Sequence, residues 1–332
     1  MDDTQFGTRD KRGDWKPFGK IPVFPQYLIP PQPLKFLKWI FGWNGYLFPW
    51  QFLWALIAIG CWFWLTPSFE TMRHLSLDWL AFIYIRNATI VFISAGLLHL
   101  HFYIKRRQGK QFKYNAKFLE TNKQKFLFKD QTKDNLVWIF LSGITIWTIY
   151  EGLTLWAYAN EWIPMVIWDM YPLYLIVFFC LIPTIRDFHF YLIHRLLHWP
   201  PLYKAAHELH HRNVNTGPWS GISMHPLEHL IYFTLFLLWW VIPVHPAIVI
   251  LTGFFNGLSP AVSHSGFDRL ILSESTNVVA GDHFHHLHHK HFEVNYGNTP
   301  TPLDKLFGSW HDGSPAGQTL MKSRKRGIQN VD

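Results

Sequence analysis

The chain has few charged residues and almost no cysteine, and both shortages narrow its class. Only 16% of its 332 residues are charged, whereas soluble domains usually carry about 25%. Cysteine occurs only as Cys61 and Cys180, both inside apolar runs, which argues against a disulfide framework and a cysteine-based zinc site. Residues 1–20 contain no apolar stretch, so no signal peptide is expected. The apolar content of 49% excludes a disordered chain.

Long apolar runs alternate with basic stretches, a pattern typical of membrane proteins. Four runs approach the roughly 20 residues that a bilayer requires, at about 46–65, 80–104, 136–158 and 163–185. A further apolar region at about 230–258 is interrupted by Pro243 and Pro246, which leaves either one kinked span or a two-helix hairpin. We favour the hairpin. The sequence therefore predicts an all-α fold, a bundle of about four transmembrane helices with a kinked or re-entrant hairpin.

The distribution of basic residues predicts the orientation in the membrane. Segment 105–134 carries ten Lys or Arg against three acidic residues, whereas the connections near 67–77 and 159–162 carry little basic charge. Because basic loops stay on the cytoplasmic side, both termini, this loop and everything after residue 185 are expected in the cytoplasm. The net charge of +8 then reflects membrane topology and contact with anionic lipid. No nucleic-acid-binding motif accompanies it, so no nucleic acid partner is expected.

These patterns divide the chain into four parts. They are a basic, proline-rich cytosolic arm at 1–45, the transmembrane helices with their basic loop at 46–185, a histidine-rich catalytic region including the hairpin at 186–312, and a basic C-terminal tail at 313–332.

Histidine is the one strong excess, with 20 residues, of which 16 lie between His189 and His291. Three groups have the spacing of metal ligands: an H-x-x-x-H pair at 194–198, and H-x-x-H-H groups at 207–211 and 285–289. Residues at i, i+3 and i+4 share a helix face, so each group is predicted to point its imidazoles in one direction. Neutral imidazole binds iron, zinc, copper and nickel.

The number of these histidines predicts two metal ions. The three groups supply eight imidazoles, whereas a four- or five-coordinate ion is saturated by fewer, and a catalytic ion keeps one position open. Carboxylates are scarce nearby, unlike in soluble four-helix di-iron proteins. The sequence therefore predicts a dimetal centre held by histidines.

Several of these segments resemble the fatty acid hydroxylase and sterol desaturase superfamily of membrane di-iron oxygenases. Its first histidine motif is similar to residues 187–198, its second to 202–211, and its third to 285–289 with Asn295-Tyr-Gly and the segment 304–309 that follow. Segment 220–228 resembles a linking segment of the sterol desaturase branch, and segment 263–268 resembles a further family position.

The resemblance implies a cytosolic, histidine-rich helical cap that holds the dimetal centre above the membrane helices. It also implies nine metal ligands and two iron ions. Those ligands are His194, His198, His207, His210, His211, His264, His285, His288 and His289. His225, Asp187 and Asp268 stay open as ligands or as partners of a ligand. Zinc is able to replace iron on purification, because it binds such sites tightly.

The family also implies an O2-dependent oxidoreductase, and no catalytic residue beyond the metal centre is predicted. Its expected reaction is hydroxylation or desaturation of a C–H bond of a lipid, whether a sterol, an isoprenoid or a fatty-acyl chain. No flavin or nicotinamide motif is present, so electrons are expected from cytochrome b5, a ferredoxin or a reductase. The alternative is a histidine-rich membrane metal transporter or metal-binding protein, although the histidines cluster after the spans and not within them.

Two charged residues lie inside the apolar runs and call for an explanation. Isolated charges are costly in a membrane, so Arg86 and Glu151 either pair with each other or line a substrate cavity.

Overall fold

The apolar runs fold into long helices, and the histidine-rich segments lie at one end of them. The computed structural model describes residues 1–298 and 300–329. In chain order the helices are α1 (Pro33–Phe41), α2 (Trp50–Trp64), α3 (Phe69–Met72), α4 (Leu77–Ile104), α5 (Gln131–Ala159), α6 (Pro172–Leu197), α7 (Pro200–Leu202), α8 (Glu208–His211), α9 (Pro226–Tyr232), α10 (Pro246–Ser263), α11 (His283–His291), α12 (Leu303–Leu306) and α13 (Pro315–Gln329).

Four of these helices are long and apolar enough to cross a membrane: α4, α5, α6 and α10. The fold is therefore a polytopic helical membrane protein, as predicted. Helix α2, which occupies the first apolar run, has only 15 residues and is shorter than a usual span. The C-terminal tail predicted at 313–332 contains α13, and its residues 330–332 lie outside the described residues.

The predicted bounds of the fourth span, 163–185, are wrong. Helix α6 begins at Pro172, because proline suits the first turn of a helix, where its missing N–H has no partner to lose. The helix then continues to Leu197 and ends before Trp199 and Pro200. The first histidine motif therefore lies on the last turns of a candidate span, whereas the sequence placed it after the span.

The apolar region at 230–258 forms a hairpin. A 3-10 helix at Phe233–Trp240 continues α9, and α10 runs back beside it. The Tyr232 hydroxyl donates to the Asn256 carbonyl at 3.0 Å, and the Trp239 indole donates to the Thr252 hydroxyl at 3.0 Å. Because the earlier residue pairs with the later one, the two segments are antiparallel, and the turn falls near Pro243.

Helix α10 is the centre of the bundle. It packs against α2, α4, α5 and α6, and 83% of its apolar window is buried inside the protein. The windows of α4 and α6 are only 28% and 22% buried, and their outer faces expose apolar side chains such as Phe92 and Leu192. Exposed apolar faces of this kind are what lipid contact requires.

Short strands and wide helical turns complete the part near the histidines. Gly7–Arg9 (β1) pairs antiparallel with Trp15–Pro17 (β2), and Arg269–Ile271 (β3) with Asn277–Val279 (β4). A π-helical turn at Tyr203–His207 joins α7 to α8 and ends on a predicted ligand. Such turns are frequent at functional sites, because the extra residue re-aims the side chains that follow.

The basic loop 105–134 contains one fully buried lysine. The Lys113 side chain is fully buried, and its Nζ lies 5.1–5.5 Å from the ring centroids of Tyr103, Phe118 and Phe267. Among the described residues it has no hydrogen-bond partner. Burial lowers the pKa of Lys113 from 10.5 to about 7.

Replacing Lys113 with methionine is expected to stabilise the protein at pH 7. Between pH 7 and 10.5 the unfolded chain binds a proton that the folded chain lacks, so the wild-type free energy of unfolding rises with pH there, by at most about 1.4 kcal/mol per pH unit. Below pH 7 the folded state carries the whole cost of a buried ammonium group. The gain in melting temperature of K113M should therefore be largest near pH 7 and shrink towards pH 10. An equal gain at both pH values would contradict this assignment.

Candidate metal centre

Nine buried or nearly buried imidazoles converge in two adjoining groups, and they are the nine predicted from the sequence. The first group contains His194, His198, His207, His211 and His288, and the second contains His210, His264, His285 and His289. Within each group, one ring nitrogen from every member lies within 4.8 Å of the others. The groups touch, since the ring centroids of His210 and His211 are 5.8 Å apart, as are those of His288 and His289.

Each H-x-x-H-H motif contributes to both groups. His207 and His211, at i and i+4, join the first group, while His210 between them joins the second. In α11 the arrangement is reversed, because His285 and His289 join the second group and His288 joins the first. The expectation that each motif points in a single direction is therefore wrong. The i+3 side chain diverges from the i and i+4 pair around the helix, and this divergence separates the two groups.

Backbone carbonyls fix the protonation of several rings. Nδ1 of His194 donates to the Tyr296 carbonyl at 2.5 Å, Nδ1 of His288 to the Val294 carbonyl at 2.7 Å, and Nδ1 of His264 to the Pro260 carbonyl at 3.0 Å. A carbonyl oxygen only accepts, so the hydrogen of each neutral ring is on Nδ1. Nε2 then carries a free lone pair, which is the form that binds a metal.

These lone pairs face one another at distances that suit a shared cation. In the first group, Nε2 of His207 lies 3.0 Å from Nε2 of His194 and 3.0 Å from that of His211. In the second, Nε2 of His264 lies 3.0 Å from that of His285 and 3.1 Å from that of His289. Two unprotonated nitrogens cannot hydrogen-bond each other, whereas ligands about 2.1 Å from one ion are spaced by about 3 Å. The residues therefore fit one metal ion per group.

Burial keeps these rings neutral. It lowers the pKa of His210 to about 4, and burial together with the neighbouring imidazoles lowers the pKa of His198 to about 2. The pKa values of His207, His211 and His288 lie well below their usual range for the same two reasons. At neutral pH a metal ion therefore displaces no proton from these rings.

Comparison with known proteins identifies the region that holds this centre. Residues 177–309 match the model of the family described as "Fatty acid hydroxylase". This region is similar to the fatty acid hydroxylases. All nine histidines lie inside the matched residues, as does the hairpin of α9 and α10.

Curated proteins that the chain is similar to are named as sterol desaturases and as a methylsterol monooxygenase. The chain is 32% identical over 127 residues to a Delta(7)-sterol 5(6)-desaturase of Eremothecium gossypii, covering 38% of this chain and 35% of that protein. It is 31% identical over 121 residues to the enzyme of the same name from Saccharomyces cerevisiae, covering 36% and 32%. It is 33% identical over 151 residues to methylsterol monooxygenase 1 of Gallus gallus, covering 45% and 50%. The chain thus spans a third to a half of the length of these relatives. No solved structure matches it.

The loop after α11 carries the carbonyls that orient His194 and His288. The Asp304 carboxylate accepts the backbone N–H groups of Tyr296 at 2.8 Å and Gly297 at 2.7 Å, which holds the Tyr296 carbonyl against His194. Asn295 donates to the Phe284 carbonyl at 3.0 Å and accepts the His311 N–H at 2.7 Å. Asn295 and Asp304, quoted above only as parts of a motif, therefore have a physical role.

Glu228 contacts a histidine of the candidate metal centre, and the sequence reasoning did not single it out. Its Oε1 accepts from Nδ1 of His207 at 2.7 Å, and both side chains are almost fully buried. Burial raises the pKa of Glu228 well above its usual range. The signal was its place in the segment 220–228, where a lone carboxyl group stands among apolar residues.

Replacing Glu228 with alanine is expected to weaken metal binding about 10–100-fold, because a ligating histidine that loses its outer hydrogen-bond partner is less well oriented and less basic. Titration of the metal against a chelator measures this change. Glu208 is the matched control, since it is exposed and adjacent to His207, so E208A should bind metal as the wild type does. Equal affinities of E228A and E208A would contradict the role of Glu228.

The three residues left open by the sequence lie outside both histidine groups. His225 is half-buried, and its Nδ1 accepts the Leu227 N–H at 3.2 Å as the N-cap of α9. Asp187 accepts from the Asn298 amide at 2.7 Å, and Asp268 accepts from the Tyr114 hydroxyl at 2.8 Å. Each therefore has a partner other than the nine imidazoles.

A cavity adjoins both histidine groups. It is narrow, with a volume of about 20 Å³, and is lined by His194 and His207 of the first group and by His210, His264 and His285 of the second. Its other walls include Phe190, Ile193, Leu197 and Met224, which are apolar. A space of this size holds about one water molecule, and a group that enters it lies directly against the candidate metal centre.

Proposed function

We propose that this protein is a membrane oxygenase that uses O2 to hydroxylate or desaturate a C–H bond of a lipid. The observation that carries the proposal is the convergence of nine neutral imidazoles in two groups beside an apolar cavity. Two iron ions would be held by these groups, the first by five histidines and the second by four. Bound iron supplies the reductive activation of O2 that attack on an unactivated carbon requires.

The residues around the centre have three tasks in this proposal. Carbonyls of Tyr296, Val294 and Pro260 hold the rings so that their lone pairs point inward. Apolar side chains, among them Phe190 and Met224, limit the space for water beside the histidines and would contact the reacting part of the substrate. The scarcity of carboxyl groups leaves most of the positive charge of two ions uncompensated.

The substrate is proposed to be a ring lipid, a sterol or an isoprenoid, in preference to a free fatty acid. Support comes from the relatives, whose names state action on sterols, and from the segment at 220–228 that resembles the sterol desaturase branch. Electrons are proposed to come from an external donor, namely cytochrome b5, a ferredoxin or a reductase. The metal centre and both termini are proposed to face the cytoplasm, on the basis of the basic loop 105–134.

The proposal is tested by lipid profiling of cells with and without the protein, together with iron analysis of the purified chain. We expect about two ions per chain, O2 consumption that requires iron and a reductant, and a lipid that gains one oxygen or loses two hydrogens. Unchanged lipids combined with iron-independent O2 consumption would contradict an oxygenase. Metal content alone does not separate an oxygenase from a metal-binding protein, because zinc is able to replace iron.

A further inference from the structure

The guanidinium of Arg186 lies where the cavity at the histidines meets a second cavity. The second cavity has a volume of about 220 Å³, and three residues line both spaces: Arg186, Ser263 and Asn298. Arg186 stands on α6, two helical turns before His194, and its side chain is 11% exposed. A charged group at this depth of a candidate span is costly, so its presence calls for a functional explanation.

Arg186 has too few partners in the described structure for a buried guanidinium. Its Nη1 lies 3.3 Å from Oδ1 of Asp187, and its Nη2 donates to the Tyr232 hydroxyl at 3.3 Å. Its Nε is buried and has no hydrogen-bond partner among the described residues. Five N–H donors with two long contacts leave donors for a ligand.

Arg86 shows what a satisfied arginine looks like in this protein. Its Nε and Nη2 donate to Asn87 at 3.1 and 2.9 Å, its Nη1 donates to the Leu65 carbonyl at 3.1 Å, and its Nη2 also pairs with Glu151. Every nitrogen of the Arg86 guanidinium therefore has a close acceptor. The contrast indicates that the open donors of Arg186 are specific to its position between the two cavities.

The second cavity has the lining that a lipid body requires. Tyr46, Phe48 and Trp50 close it near the beginning of α2, and Pro183 and Phe255 close it on α6 and α10. Its walls come from the candidate spans and from the chain next to them, so a lipid is able to approach from the bilayer. The charged residues Arg186, Asp187 and Asp282 stand against this aromatic and apolar lining.

We propose that Arg186 and Asp187 bind a hydroxyl group of the substrate lipid, and that the carbon to be oxidised lies only a few bonds from that hydroxyl. This inference rests on the proposed function and names a substrate feature that the function leaves open. A hydroxyl is able to accept from Nε of Arg186 and to donate to the Asp187 carboxylate. A carboxylate would be repelled by Asp187. The short separation follows because Arg186 lines the same cavity as His194 and His210.

Equilibrium binding to the purified full-length protein tests the inference without any turnover. The probes are octadecanol, octadecane and stearate on one scaffold, and cholesterol and cholest-5-ene on a second. We expect at least one alcohol to bind about tenfold or more tightly than its deoxy partner. A hydrogen bond to a charged group contributes a binding free energy that corresponds to about this ratio of affinities. R186M should abolish the difference and R186K should retain part of it. R195M is the matched control, because Arg195 is exposed on the same helix, and it should leave the difference intact.

Two results would overturn the inference. One is a wild-type protein that does not distinguish either alcohol from its deoxy partner. The other is an R186M variant that retains both its metal content and an unchanged preference for the alcohol. The D187N variant provides a further test, because removing the negative charge should raise the affinity for stearate relative to that for octadecanol. A protein that prefers the alcohol but shows no O2-dependent turnover would contradict the proposed oxygenase activity. It would not contradict the hydroxyl-binding site at Arg186.

Discussion

Replacing His210 with alanine is expected to remove one of two bound metal ions and to abolish turnover. His210 belongs to the four-histidine group, and its ring lies 5.4 Å from that of His264 and 4.8 Å from that of His289. Loss of a direct ligand should lower the affinity for that ion by more than the roughly 10–100-fold that results from loss of a hydrogen-bond partner of a ligand. Iron analysis of the purified H210A protein should therefore approach one ion per chain, with product formation below detection.

His225 provides the matched control for this experiment. It is a histidine of the same domain, but it caps α9 and stands outside both groups. H225A should retain two ions and most of its activity, with at most the loss of a helix cap, about 1 kcal/mol of stability. An H210A protein with both irons and full activity would show that the assignment of the second group is wrong. Loss of metal in H225A would show that His225 is a metal ligand.

The spacing of the histidines named eight of the nine residues that the structure gathers, and the ninth, His264, was implied only by the resemblance to the family. His207 with His211, and His285 with His289, are i and i+4 pairs on helices, so local geometry already places each pair together. The division of each motif between two groups was not predictable. It depends on how α8 and α11 are placed relative to α6 and α10, and this placement is a tertiary property. Their role as metal ligands is still a prediction.

Hydropathy predicted the helical membrane fold but not its arrangement. The run at 230–258 is interrupted by prolines, which suggested a kinked or re-entrant hairpin, yet its second arm is α10 at the centre of the bundle. Composition cannot distinguish a helix surrounded by protein from one surrounded by lipid, because both are apolar. The sequence reasoning also missed the polar residues that orient the predicted metal ligands. Glu228 and Asp304 act through partners that are 21 and 8 residues away in the chain.

The buried charges of Arg86 and Glu151 form a satisfied network. Arg86 on α4 pairs with Glu151 on α5, and both side chains are almost fully buried. Asn87 donates to Oε2 of Glu151 at 3.0 Å, and Nη1 of Arg86 donates to the Leu65 carbonyl at the end of α2. Of the two alternatives that the sequence left open, the structure shows the pair. It ties α2, α4 and α5 together.

Breaking this pair from one side is therefore expected to be severely destabilising. E151Q leaves a buried guanidinium without its counter-charge and should lower the free energy of unfolding by about 3–5 kcal/mol. E70Q, at an exposed glutamate, should change it by no more than about 0.5 kcal/mol. The double variant R86M/E151L should regain most of the lost stability, because two apolar side chains replace both charges together. Unfolding in mixed micelles with increasing dodecyl sulfate measures all three variants.

The same variants also separate structure from catalysis in the membrane helices. If the pair only joins helices, R86M/E151L should bind two irons and turn over substrate at a rate near that of the wild type. A double variant that folds and binds both irons but has lost turnover would show that Arg86 or Glu151 contacts the substrate. The guanidinium at position 86 has acceptors on every nitrogen, and no donor is left for a ligand. We therefore expect variants of Arg86 and Glu151 to lose activity only to the extent that they lose stability. The R186M variant, in contrast, should lose activity without losing stability.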